Sequence, residues 1–147
     1  MKVRIILIYM CLNTFVDVLY DLEGSDPDFT TLANLWTVSS LVTSNKKVYT
    51  CAGVPLLGGY NIMGQGEGKY LERTYTGVPV HNQIRLVFTL YPLDSWDRSG
   101  DDHFKVKIGN TEVTGWTLDW ADGTASALCG STEYTDLPPL KVSLQVP

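Results

Sequence analysis

The sequence predicts an all-β fold, an antiparallel β-sandwich, and three observations carry that prediction. Several short segments alternate apolar and polar residues with period two. They are punctuated by thirteen glycines and seven prolines, residues that turn a chain rather than extend a helix. Eight tyrosines, four tryptophans and four phenylalanines add side chains that suit a pleated, half-buried surface. With 147 residues, 44% of them hydrophobic and 18% charged, the chain fits one ordinary domain. Its formal charge of -5 leaves no broad basic surface for phosphates, which excludes nucleic acid as a partner.

Taken in order, the chain opens with a basic tetrapeptide containing Lys2 and Arg4. Uncharged, mostly apolar residues 5–16 (IILIYMCLNTFV) follow. This reads as a secretory signal peptide over residues 1–19, with processing between Asp17 and Asp21. A membrane-spanning helix would need about 20 apolar residues, and Asp17 interrupts the run too early. Removal of the leader takes away Cys11 and leaves Cys51 and Cys129 as an even pair in an oxidising compartment. The expected product is a secreted, acidic domain spanning residues 20–147 and closed by a Cys51–Cys129 disulfide. Two histidines and two cysteines without close spacing argue against zinc.

Residues 20–31 (YDLEGSDPDFTT) are acidic and turn-rich, and residues 32–42 (LANLWTVSSLV) fit a first strand or a short helical turn. The clearest strand is 83–91 (QIRLVFTLY), with Ile84, Leu86, Phe88 and Leu90 on the face expected to meet the core. Phe104, Val106 and Ile108 alternate with Lys105 and Lys107, and Gly109-Asn110 then supplies a two-residue hairpin turn before residues 111–114. A last strand alternates Val142, Leu144 and Val146 with Lys141, Ser143 and Gln145, behind the break at Pro138 and Pro139.

Residues 51–79 (CAGVPLLGGYNIMGQGEGKYLERTYTGVP) are followed by His81, by RLVFTLYPLDSWD, by TEVTGWTLDW and by LCGSTEYTDLPPLKVSLQVP. This order of motifs resembles an extracellular module of ciliate and other protist surface proteins, patterned as LGGYN, LP-x-H, DSWD and a late CG. The likeness covers residues 51–147 and departs at Val78, where leucine is usual. The resemblance implies a disulfide-containing, jelly-roll-like sandwich outside the cell and no enzyme activity. The family typically continues with further strands, so the C-terminal edge is expected to be incomplete; partial coverage and a strand lent by a neighbouring molecule both account for that.

Asp94, Asp97, Asp101 and Asp102 place four carboxylates within nine residues, with Arg98 as the internal counter-charge. Two readings stand: an irregular calcium site, since calcium gathers six to eight oxygens, and a solvated acidic turn. Asp119 and Asp122 would complete such a site or form an Asp-Gly turn. Trp96, Trp116 and Trp120 offer flat faces for stacking on sugar rings, against the plainer reading of buried anchors. The glycines at 64, 66 and 68 lack the flanking strand and helix of a nucleotide loop. No nucleophile elbow is present, and His81 reads as a hydrogen-bonding residue leading into a strand rather than a general base. The function expected is a non-enzymatic structural or adhesive part of an extracellular coat, filament or matrix. Its expected partners are other copies of itself or other extracellular modules. A calcium-dependent glycan-binding module and a secreted hydrolase are the alternatives.

Overall fold

The strand β7, Ile84–Leu90, is the spine of the computed structural model. The structure describes residues 5–11, 14–20, 29–39, 46–63, 69–76, 78, 80–94, 103–117, 127 and 129–146. In chain order the elements are β1 (Ile5–Cys11), β2 (Thr14–Tyr20), α1 (Phe29–Ala33), β3 (Thr37–Val38), β4 (Val48–Cys51), β5 (Val54–Leu57), β6 (Leu71–Glu72), β7, β8 (His103–Ile108), β9 (Thr111–Thr117) and β10 (Leu140–Val146). Among the described residues the fold is all-β apart from one helical turn, and every strand pairing is antiparallel. The described strands form one four-stranded sheet, ordered β10-β7-β1-β2, and three two-stranded sheets. They are small and do not close on themselves.

Alternation explains β7. Phe88 and Leu90 are buried, and Ile84 and Leu86 are half-buried against the same core, as the sequence pattern predicts. Phe29, Ala33 and Trp36 approach this core from α1 and the turn after it, Leu57 from β5 and Val106 from β8. The Phe88 and Phe104 rings meet at 5.6 Å and 54°, a tilted contact that ties β7 to β8. Within its own sheet β7 carries β10 along one edge through seven consecutive pairs, from Leu140↔Leu90 to Val146↔Ile84. Val142 and Leu144 turn toward the core while Lys141, Ser143 and Gln145 stay exposed.

The turns follow the chemistry of their residues. Ile108 pairs with Thr111 across Gly109 and Asn110, and Gly109 takes φ +59°, the left-handed value a tight hairpin needs at its first corner. Between β4 and β5, Ala52 and Gly53 both have positive φ. Of the segment 32–42, residues 32–39 form the end of α1, a turn and β3, and residues 40–42 lie outside the described residues. Lys47 Nζ donates to the carbonyl oxygens of Asn34 at 3.2 Å and Trp36 at 2.6 Å, placing a cation where the turn's carbonyls gather. Ser39 extends the β3–β6 contact by donating its N–H to the Tyr70 carbonyl and accepting the Tyr70 N–H on its hydroxyl.

Residues 5–11 and 14–20, read from sequence as mostly leader, form the antiparallel pair β1 and β2 in the full chain, and β1 meets β7 at Ile8↔Arg85 and Tyr9↔Ile84. Among the described residues no helix is long and apolar enough to cross a membrane.

Candidate functional site

Where β7 ends, the chain leaves on a long excursion and returns as β10. Three segments meet at the base of that excursion. The return is fixed by Leu137, whose N–H donates to the Pro92 carbonyl at 3.3 Å, with Pro92 wholly buried. The β4–β5 hairpin arrives through the Cys51–Cys129 disulfide, whose Cα atoms lie 5.3 Å apart, within the normal span of a bridge. The expected pairing of these cysteines is therefore present.

Around the bridge, three successive backbone N–H groups each find a side-chain acceptor. Cys129 N–H donates to Asp136 Oδ2 at 3.0 Å. Gly130 N–H donates to the Tyr49 hydroxyl at 3.1 Å. Ser131 N–H donates to Asp94 Oδ1 at 2.9 Å. Asp136, only 2% exposed, also accepts the Asp94 N–H on Oδ1 at 2.8 Å. Consecutive N–H groups of this kind form a concavity suited to anions. Here the protein's own carboxylates and a phenol fill it, so the cluster acts as a clasp joining the start of the DSWD motif to the CGS segment.

The backbone is shaped to let these groups approach. Asp94 has φ +60° and Gly130 φ +83°, and a β-carbon on residue 130 would lie 2.6 Å from Asp94 Oδ1. At Gly59, φ +104°, a β-carbon would lie 2.6 Å from the Tyr49 β-carbon. The second glycine of the LGGYN motif thus makes room for the tyrosine whose hydroxyl reaches Gly130. Tyr60 of the same motif packs against Tyr49 with ring centroids 6.4 Å apart.

Burial raises the Asp94 carboxyl above its usual range and the nearby Asp136 charge adds to that, while the Ser131 N–H pulls the other way.

Of the expected calcium ligands, Asp94 is in the clasp; Asp97, Asp101 and Asp102 lie outside the described residues, as do Asp119 and Asp122. Trp96 and Trp120 also lie outside them. Trp116 is placed on β9, opposite Phe104. Trp36, another tryptophan with a face suited to stacking, is 7% exposed and belongs to the core, so its ring faces protein rather than solvent. His81 is exposed just ahead of β7. Among the described residues no group of three or more His, Cys, Asp or Glu side chains is placed to hold a metal ion.

Sequence reasoning missed Asp136 and Tyr49. Their partners lie 42 and 81 residues away, beyond any local pattern. The one available signal was a lone aspartate directly before the Leu-Pro-Pro break, where the chain is about to re-enter a strand.

No protein family, curated protein or solved structure matches this chain.

Proposed function

We propose that the chain is a secreted, non-enzymatic structural module that builds an extracellular or cell-surface assembly. Its strands would complete a jelly-roll-like sandwich, as the likeness to the protist surface module implies. One observation carries the assembly reading: β10 lies at the end of its sheet, and among the described residues no strand pairs with its outer side. It is seven residues long, its ladder to β7 has no register shift, and Lys141 is its only charge. Natural edge strands are usually shortened, bulged or heavily charged to prevent pairing with another chain. β10 has little of that protection. The clasp and the disulfide support the reading by anchoring the excursion at the foot of β10.

Sedimentation of the disulfide-intact protein over about a hundredfold range of concentration tests it, because association must follow mass action. Multimers that grow with concentration, and that vanish when Ser143→Lys and Gln145→Lys add charge to the exposed edge, support the proposal. A monomer at every concentration overturns it.

Calcium bound through Asp94, Asp97, Asp101 and Asp102 is part of the same proposal, with Asp94 offering the lone pairs that Ser131 does not occupy. A melting temperature raised by calcium and restored by chelator supports that part. No shift at millimolar calcium removes the metal and leaves a solvated acidic turn.

A further inference from the structure

We propose that Tyr134 is a modification site, sulfated on its phenol oxygen during export by an enzyme that carries a sulfuryl group from a nucleotide donor. This rests on the reading of the chain as secreted and adds to it a modified residue. Among the described residues from 49 onward, Tyr70 and Tyr134 are the exposed tyrosines, at 50% and 44%. Tyr49, Tyr60, Tyr75 and Tyr91 are half-buried. Tyr134 stands on a short loop fixed at both ends. Cys129 is held by the bridge to Cys51 and by Asp136, and Leu137 by Pro92. Between these anchors the Ser131 hydroxyl accepts the Glu133 N–H at 3.1 Å, and Thr132, Glu133 and Tyr134 are all exposed. An enzyme therefore reaches the phenol without unfolding the sheet.

Charge separates the two exposed tyrosines. A site that holds an anionic nucleotide donor is itself cationic, so it draws in segments that carry carboxylates and repels lysine and arginine. Tyr134 follows Glu133 directly, and residues 108–140 contain neither lysine nor arginine. The Asp136 carboxylate is engaged by the N–H groups of Cys129 and Asp94, so the selecting charge is that of Glu133. Tyr70 instead follows Lys69 and shortly precedes Arg73, and its N–H and carbonyl are both bonded to Ser39, which keeps its backbone in the β3–β6 pair. In the transfer, the Tyr134 phenol oxygen attacks the sulfur of a phosphoadenylyl sulfate donor. A new O–S bond forms as the bond from sulfur to the donor's phosphate oxygen breaks. The nucleotide leaves with that electron pair, the phenolic proton passes to a base of the enzyme, and nothing is oxidised or reduced. The product is a sulfate monoester, a fixed negative charge on an anchored loop.

The test incubates the disulfide-intact protein with a tyrosylprotein sulfotransferase and radiolabelled donor, followed by peptide mapping. The expected result is a single label on the peptide that contains residue 134. Tyr134→Phe should abolish it, Tyr70→Phe should leave it unchanged, and Glu133→Gln should slow its entry several-fold. All three substitutions fall on exposed side chains, and thermal melting checks that each variant is folded. No label, or label confined to other tyrosines, overturns the site. In secreting cells that contain the transferase, the protein in the medium should gain the mass of one sulfate at Tyr134, and the gain should survive phosphatase. A secreted chain without that gain, or a gain that phosphatase removes, overturns the site while the secreted reading stands. A chain that accepts label in the tube but is retained inside the cells overturns the secreted reading, and the modification falls with it.

Discussion

Asp136 receives the backbone N–H of Asp94 across 42 residues of chain, and the two carboxylates then hold Cys129 and Ser131 on either side of Gly130. One buried side chain thereby fixes both the departure from β7 and the return toward β10. Replacing Asp136 with alanine leaves two N–H groups without their acceptor in a site that is 2% exposed. A loss of about 2–4 kcal/mol is expected, since buried donors deprived of a charged acceptor carry their full desolvation cost. Asp136→Asn should lie between the two, because an amide presents one acceptor where the carboxylate presents two. Urea unfolding of the three proteins gives the order; an alanine variant as stable as the native protein would remove the clasp from the account.

The same pair sets a dependence on pH. Burial and the Asp136 charge raise the Asp94 carboxyl, so the folded chain holds this proton more firmly than the unfolded chain does. Stability from this group is therefore fully present below the ordinary carboxyl value of 3.8 and is lost as pH rises through the higher folded value. The native protein minus Asp94→Asn difference in urea midpoint should decline with rising pH in that window and be flat above it. An increase across the window would show the opposite shift.

Glycine substitutions separate close approach from backbone strain. Gly53 and Gly59 both have positive φ, yet a β-carbon on Gly53 meets nothing within 4 Å whereas one on Gly59 runs into Tyr49. Gly53→Ala should cost only the left-handed penalty, about 1–2 kcal/mol. Gly59→Ala should cost about 2 kcal/mol more, since Tyr49 must move and its hydroxyl then loses Gly130. Loss of amide protection at Gly130 in the Gly59 variant alone is the specific signature, read by hydrogen exchange.

These features differ in how far the sequence discloses them. Strand β7, the β8–β9 hairpin and β10 are legible because six or seven alternating residues give a period, and Gly109-Asn110 adds a turn whose chemistry is local. Strands β3 and β6 have two residues each, too few for any period, and their pairing depends on Ser39 meeting Tyr70 across 31 residues. In the clasp, Cys51, Cys129 and Asp94 stand out by residue type or by the crowding of aspartates. Asp136 and Tyr49 acquire their roles only when distant segments meet. Leader-like residues 5–11 show the opposite limit: an apolar run suits a signal segment and a strand beside β7 equally well, and periodicity does not choose between them.

The disulfide and the clasp hold the same loop by different means, and their contributions can be separated. The bridge joins residues 78 apart, so it limits the unfolded chain, an effect of about 4–5 kcal/mol for a loop of this size. The hydrogen bonds from Cys129, Gly130 and Ser131 act in the folded state and need no sulfur. Cys51→Ala with Cys129→Ala should therefore lower stability by about 4 kcal/mol while the Gly130 and Ser131 amides stay protected in the folded fraction. Adding Asp136→Ala to that background should cost nearly the same as it does with the bridge present, if the clasp is preorganised by backbone geometry alone. A much smaller cost would mean that the bridge holds Cys129 in place for Asp136, and the two devices would then be one cooperative unit, measured as the coupling energy of the cycle.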